Sequence, residues 1–425
     1  GDFLGGGGFV SMSSFFERSS FLEKLTIRCD AAAESDDFSR GLAKALSKFN
    51  SLKLFESQMN PRMAHKVLGA LAGHTELESL HLRSDVSLEN KAFSALSVLL
   101  WRRNSKLSDL GLDLRYDDAN YMFGDPTFAG AMGMVRDDGM VAVSSGLGGK
   151  NALKSLRMCG NKNVSSSGWR AFSTLLGSSR SMLQSLHMPL NSIGNDGMTH
   201  IANGLAKNKV LRSIDLSATR NVTSSGWRAF CAVFQSTESA LEVMSLWDNN
   251  IGSDVHVAWA SSLASNQSMK ELGMHFCPSM TPVGMTAFTH ILCNKSTIMT
   301  TFLSNHALGR VITGDTNTVN TPELDLLLKN NRVHTAFGAA RQKIIMYHFS
   351  DADSLQLFKE MDLGILPNAL AWMSRVVEPG SNESGDGVGE DMKFDAGSVL
   401  LYKLLRDMPE LFENNTGETR KRKRG

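Results

Sequence analysis

Asn163-Val164-Ser165-Ser166-Ser167-Gly168-Trp169-Arg170-Ala171-Phe172 returns further along the chain as Asn221-Val222-Thr223-Ser224-Ser225-Gly226-Trp227-Arg228-Ala229-Phe230. Self-similarity at a fixed spacing marks a repeat architecture. Leu153-x-x-Leu156-x-Met158 precedes the first copy, and Leu211-x-x-Ile214-x-Leu216 precedes the second. Between them lies Leu183-x-x-Leu186-x-Met188, followed by Asn191-Ser192-Ile193-Gly194. The repeating unit is therefore half the interval between the two phrases, and two variants of it alternate. Carrying the frame along the chain gives further starts at Leu22, Phe49, Leu77, Leu107, Leu241, Met269 and Ile298. These starts keep a near-constant phase, broken by a single long step from Leu107 to Leu153.

The physics of each unit is readable. Its x-L-x-L-x centre alternates apolar and polar residues, as a short strand with one buried face requires. The ninth position is polar or small: Asp30, Ser57, Asp85, Asn161, Asn191, Thr219, Asn249 and Cys277. The chain must turn there, and stacked buried side chains can satisfy the backbone groups that the turn frees. A helix is predicted next. Ile193, Met198, Ile201 and Leu205 share one helical face, as do Trp169, Phe172 and Leu176. Trp169 and Trp227 are accordingly assigned to the core, with Arg170 and Arg228 pointing outward.

This repeat spacing, combined with L-x-x-L-x-L-x-x-N/C, resembles leucine-rich repeats of the ribonuclease-inhibitor type. The resemblance runs from position 1 to roughly position 310. It implies an α/β leucine-rich-repeat solenoid, a horseshoe with an inner parallel β-sheet and outer helices. The terminal repeat of such a solenoid needs a cap, and the expected cap is helical and covers 311–413. Ala340-Arg341-Gln342-Lys343-Ile344-Ile345, Ile365-Leu366-Pro367-Asn368-Ala369-Leu370-Ala371-Trp372 and Met408-Pro409-Glu410-Leu411-Phe412 resemble segments that follow such repeats in diatom leucine-rich-repeat proteins. Most of that set have no assigned activity.

The long step from Leu107 to Leu153 is read as an inserted loop near 116–133. Leu4 to Phe16 aligns with the helix half of a unit whose strand is missing upstream, so a truncated N-terminus is expected. Helices are predicted to open at Thr321-Pro322 and at Ala340, with further ones near Ser354–Val377 and Ala396–Phe412. Residues 378–391, rich in Gly, Ser and acids, read as a flexible linker, and 414–425 as a disordered basic tail. The run Arg420-Lys421-Arg422-Lys423-Arg424 fits a nuclear-import address, a nonspecific polyanion contact or a solubilising tail.

Composition narrows the classes further. The 425 residues carry 44 Lys plus Arg against 43 Asp plus Glu, so no overall charge points to nucleic acid. No apolar run approaches the ~18 residues that span a bilayer. Five cysteines scattered over different units favour free thiols in a reducing compartment, hence an intracellular protein, cytoplasmic or nuclear. No Cys/His cluster has metal-ligand spacing, no cofactor is implied, and a monomer is expected. His81 with Asp109, and Arg157 with His187, fall on neighbouring strands, but each reads as an outward strand residue rather than a catalytic constellation.

The strand face away from the helices is the expected binding surface. Its outward residues are the third, fifth and seventh of each unit. The assignment gives Lys24, Thr26 and Arg28 in the first unit, and Ser51, Lys53 and Phe55 in the second. The last units give Val243, Ser245 and Trp247, then Glu271, Gly273 and His275, and finally Thr300, Phe302 and Ser304. The first three units are basic on this face, with Lys24, Arg28, Lys53 and Arg83. From this frame Arg28, Lys53, Arg83, Arg157, His187, Trp247, His275 and Phe302 are the candidate partner-binding residues, because Trp and Arg supply large area with polar edges. The expected function is a non-enzymatic scaffold or receptor that holds a protein partner on the concave face. The alternatives are a GTPase activator resembling the Ran-type leucine-rich-repeat activators, and an enzyme inhibitor resembling ribonuclease inhibitor. No activator motif is matched residue by residue, and the latter family is far richer in cysteine.

Overall fold

Alternating leucines and small polar residues build ten short strands: β1 (Lys24–Ile27), β2 (Leu54–Gln58), β3 (Ser79–Arg83), β4 (Asp109–Asp113), β5 (Ser155–Arg157), β6 (Ser185–His187), β7 (Ser213–Asp215), β8 (Val243–Ser245), β9 (Glu271–His275) and β10 (Arg310–Gly314). In the computed structural model all ten form one parallel sheet in sequence order, each strand hydrogen-bonded to the next. The structure describes residues 22–27, 36–58, 61–84, 87–102, 105–113, 133–148, 152–278, 280–314 and 320–348. Arg28, most of the insertion expected near 116–133, the N-terminal stretch and everything from 349 onward, basic tail included, lie outside them. A parallel sheet in sequence order with a helix between successive strands is the leucine-rich-repeat solenoid.

The helices are α1 (Asp36–Leu46), α2 (Pro61–Leu71), α3 (Asn90–Trp101), α4 (Asp137–Leu147), α5 (Ser166–Leu176), α6 (Gly194–Leu205), α7 (Ser224–Arg228), α8 (Cys231–Gln235), α9 (Ser253–Leu263), α10 (Pro282–Leu292), α11 (Ile298–Phe302), α12 (Pro322–Val333) and α13 (Ala336–His348). Consecutive helices from α1 to α6 pack side by side. Chain contacts divide the molecule into two compact units, Gly1–Phe288 with Arg310–Thr321, and Thr289–Gly309 with Pro322–Gly425.

In the first unit one face of each strand is sealed. Leu80, Leu110, Leu156, Leu186, Ile214, Met244 and Leu272 form a fully buried row across neighbouring strands. Trp169, Trp227 and Trp259 are fully buried as well. Trp169 donates to Ser192 O at 3.3 Å and Trp259 to Trp227 O at 2.9 Å. The two halves of the duplicated phrase differ in one respect: the first forms the continuous α5, and the second breaks between α7 and α8.

The ninth-position prediction holds at the turns from Asn161 onward, whereas Ser57 is a residue of β2 and Asp30 and Asp85 lie outside the described residues. Asn161, Asn191, Thr219, Asn249 and Cys277 are buried. Asn161 N donates to Asn191 Oδ1 and Thr219 N to Asn249 Oδ1, at 2.8 and 2.7 Å. Asn249 Nδ2 donates to Leu216 O and Leu246 O, both at 2.9 Å, and Cys277 Sγ donates to Leu246 O at 3.1 Å. At these turns a repeat thus hands the preceding one a side chain that closes its open backbone groups.

Two of the ten frames need correction. The second strand unit starts at Leu52, not Phe49: Phe55 pairs with Leu25 and Leu80 and is fully buried, while Leu54 and Glu56 face the open side. Overlapping apolar triplets hid this, and Phe49 is a core residue behind the strand. The last unit starts at Leu308, not Ile298. A capping box, in which Thr300 N donates to Thr297 Oγ1 at 3.0 Å and Thr297 N to Thr300 Oγ1 at 2.9 Å, turns Ile298 onward into α11. Phe302 is therefore helical, and the strand β10 pairs from Arg310 with Glu271.

The second unit is organised around one buried cation. Lys343 is fully buried and donates to Leu292 O, Asn305 O and His306 Nδ1 at 2.6, 3.1 and 3.0 Å. Three acceptors match the three donors of an ammonium, while burial pulls its pKa down to about 7. His306 Nε2 lies 2.9 Å from Phe302 O, so the imidazole is neutral with its proton on Nε2. Burial, with the lysine charge beside it, lowers His306 to about 4. Leu324, Leu327 and Leu328 of α12 are buried, and α13 begins at Ala336, ahead of the expected start at Ala340.

Candidate functional site

Side chains alternate across a strand, so the residues between the buried rows emerge together on the opposite face of the sheet. The first open row runs Lys24, Leu54, Ser79, Asp109, Ser155, Ser185, Ser213, Val243, Glu271, Arg310. The second runs Thr26, Glu56, His81, Gly111, Arg157, His187, Asp215, Ser245, Gly273, Ile312. Beyond them lie Gln58, Arg83 and Asp113 at one end and Trp247 and His275 at the other.

Of the predicted residues, Arg83, Arg157, His187, Trp247 and His275 share this face. Lys53 does not belong to it: it precedes β2, level with Glu23 and Glu78, and pairs with Glu23 at 2.8 Å. Phe302 is also elsewhere, stacked on Phe337 in the second unit with ring centres 6.3 Å apart. Cys159, expected outward, is fully buried.

The basic character expected of the first units is cancelled locally. Arg83 lies 3.1 Å from Glu56, His81 2.7 Å from Asp109, Arg157 3.8 Å from Asp113, His187 4.0 Å from Asp215 and Arg310 3.1 Å from Glu271. Each pair bridges two neighbouring strands. The most closely knit part centres on Gly111, where an added Cβ would sit 2.9 Å from the His81 ring and 3.4 Å from Asp113 Oδ2. The absence of a side chain there lets the imidazole lie down on the sheet. The two carboxylates of β4 then diverge. The hydrogen bond from His81 holds Asp109 down at about 2, whereas burial pushes Asp113 up to about 6 despite Arg157. Asp113 Oδ1 also accepts from Cys159 N at 3.2 Å.

At the other end the face is aromatic. Trp247 lies over Gly273, whose Cβ would be 3.3 Å from the indole nitrogen. Its ring meets His275 edge-on at 5.0 Å, and His275 continues to Phe276 at 6.4 Å. Phe276 is 55% exposed at φ 56°. The same turn position is left-handed at Leu190, Ala218 and Asp248, and glycine occupies it at Gly160. Phe276 was missed by the sequence frame because it falls just past the strand; its signal is a bulky residue at a turn position that favours glycine. Ser217 links the two ends of the face, its hydroxyl donating to Asp215 Oδ1 at 2.5 Å and accepting from Trp247 N at 3.1 Å. Among the described residues no group of three or more His, Cys, Asp or Glu is placed to hold a metal, and no helix is long and apolar enough to cross a membrane.

No family model matches the chain, and no curated protein does. Solved structures with some likeness include the Rad7 and Elc1 complex in yeast, at 13% identity over 73% of this chain and 76% of that one, TM-score 0.35. A protein from Bacteroides fragilis matches at 13% identity over 61% of this chain and 71% of its own, TM-score 0.32. The TLR13–ssRNA13 complex matches at 12% identity over 61% of this chain and 41% of that one, TM-score 0.28. Superpositions this loose say nothing of function, and the solenoid stands on its own strand order and register.

Proposed function

We propose that the chain is a binding module that grips a protein partner across the open face of its sheet. Trp247, His275 and Phe276 are the anchor, and the cross-strand charge pairs from Glu56 to Asp215 form a polar, near-neutral field beside it. The observation that carries this reading is Phe276: a large apolar side chain kept exposed, in a backbone region costly for it, with its ring near His275, which in turn meets the Trp247 indole. Aromatic anchors surrounded by polar contacts are the usual energetic centre of protein interfaces. The repeat length supports the ribonuclease-inhibitor type of leucine-rich repeat, and an intracellular setting agrees with the scattered thiols. The test is affinity purification with wild type and Trp247→Ala side by side, folding checked by circular dichroism. Loss of specific partners in the variant supports the assignment; an identical partner set at identical yield removes it.

A further inference from the structure

The same face carries the tripeptide Ser-Leu-His twice, at Ser79-Leu80-His81 on β3 and Ser185-Leu186-His187 on β6. We infer that Ser185 is the nucleophile of a Ser185–His187–Asp215 acyl-transfer site that reacts with activated esters, a chemistry separate from partner binding. Strand periodicity puts Ser185 and His187 on one face, and the ladder sets Asp215 opposite His187. Ser185 Oγ lies 2.9 Å from His187 Nε2, and Asp215 Oδ2 lies 4.0 Å from His187 Nδ1. Asp215 is itself aimed, because its Oδ1 accepts from Ser217 N and Ser217 Oγ at 2.9 and 2.5 Å. At 4.0 Å the carboxylate makes no hydrogen bond to the ring, but its charge favours the tautomer with the proton on Nδ1, which leaves the Nε2 lone pair toward the serine. This is the order nucleophile, base, orienting carboxylate.

The β3 copy is a built-in contrast. There the nitrogen nearer the serine, His81 Nε2, is bound to Asp109 Oδ2 at 2.7 Å and lies 3.4 Å from Ser79 Oγ. Ser79 Oγ also donates to Asp109, at 3.3 Å. A nitrogen donating to a carboxylate cannot take a proton from the serine. One tripeptide is poised and the other quenched, although both serines lie on the same face.

In the forward step Ser185 Oγ bonds to the ester carbonyl carbon as its proton passes to His187 Nε2. The tetrahedral adduct collapses, its bond to the leaving oxygen breaks, and the alcohol or phenol leaves with the proton from Nε2. Water removes the acyl group by the same route, giving the carboxylic acid and free Ser185. The amide of Ser185 is already given to Lys154 O at 2.9 Å, so it does not stabilise the oxyanion. The cation at hand is Arg157, opposite His187 on β5. That limited stabilisation restricts the substrate class to activated aryl esters rather than amides.

The experiment treats the full chain with a fluorophosphonate, which bonds to a reactive serine oxygen and releases fluoride, and maps the adduct by peptide mass spectrometry. Ser185 is expected to be labelled and Ser79 not, a comparison that needs no variant. His187→Ala should slow labelling at least about tenfold, and Ser79→Ala should leave it unchanged. Asp215→Asn, which acts through the imidazole, should slow labelling of Ser185, and Asp215→Glu should restore part of the rate. Equal labelling of Ser79 and Ser185, no labelling of either, or labelling of Ser185 that persists in His187→Ala overturns the inference.

Discussion

Asn249→Ala isolates what holds one repeat to the next. The side chain is 3% exposed and closes three backbone groups: it accepts from Thr219 N at 2.7 Å and donates to Leu216 O and Leu246 O at 2.9 Å each. Truncation leaves the buried Thr219 amide without a partner, while Leu216 O keeps the Thr219 hydroxyl and Leu246 O keeps only the weaker Cys277 thiol. The orphaned amide costs about 1–3 kcal/mol and the two lost carbonyl bonds about 0.5–1.5 kcal/mol each, and a trapped water recovers part of it, so a total of about 2–4 kcal/mol is expected. The neighbouring turns supply a graded comparison. Thr219→Val removes only the hydroxyl bond to Leu216 O, for about 1 kcal/mol, and Cys277→Ala only a weak thiol bond to Leu246 O. Because stability in a solenoid is a sum of local and nearest-neighbour terms, global melting blurs the order. Amide hydrogen exchange over peptides spanning 216–222 and 246–250 reads it locally. Exchange should accelerate most in Asn249→Ala, by far less in Thr219→Val, and least in Cys277→Ala. Equal protection in the three variants would refute the idea that this buried ladder carries the stacking.

Other outcomes follow from the same structure. Burial lowers His256 and His306 to about 4 from 6.5. The unfolded chain therefore binds more protons between those values, and stability is complete above pH ~6.5 and falls as pH drops toward ~4, by up to about 3 kcal/mol per histidine. His256→Phe, which also removes two buried ring nitrogens with no partner, should flatten that acid limb in a denaturation series across pH. Asp113 runs the opposite way: its folded value of about 6 lies above the usual 3.8, so its burial costs stability as pH rises through 6. Asp113→Asn keeps the acceptor for Cys159 N and should raise the denaturation midpoint at pH 8 by the equivalent of about 2–3 kcal/mol, with the gain gone near pH 4. Gly273→Val should lift the Trp247 indole off the sheet, seen as a red-shifted Trp emission and weaker partner recovery, with the fold retained.

Eight of the ten strand frames were readable because buried leucines repeat where the ladder needs them. The two failures share one cause: an apolar triplet can belong to a helix end as easily as to a strand. A second repeat feature resolves it. Asn208, Asn266 and Asn305 stand at one fixed offset before the true frame residues Leu211, Met269 and Leu308, and each accepts from the amides that lead into the strand. His74 stands at the same offset before Leu77, its ring nitrogen 2.8 Å from Leu46 O. That Asn-x-x-Leu offset points to Leu308 rather than Ile298. The charge pairs of the open face were not readable as a surface property. Counting Lys53 and Arg83 as a basic patch ignored the acids one strand away, Glu23 and Glu56, which neutralise them. In a solenoid the electrostatic neighbour of a residue is about one repeat distant, so local composition misleads.

Phe276 separates stability from function at one position. A non-glycine residue at φ 56° crowds its Cβ against the backbone, at a cost of about 1–2 kcal/mol. Glycine relieves that strain but gains freedom in the unfolded chain, which takes back about 0.5–1 kcal/mol. Little packing is lost, since the ring is 55% exposed and its described ring partner is His275 at 6.4 Å. Phe276→Gly should therefore leave the fold as stable as before or more so, by up to about 1 kcal/mol, while partner recovery falls. Phe276→Asn, which tolerates the left-handed region and removes the same ring, should do likewise. A strained residue whose removal helps the fold is retained for its side chain, and that side chain is exposed beside His275. If both substitutions destabilise the chain by several kcal/mol with binding unchanged, the ring is a structural plug and the anchor must be sought among the charge pairs instead.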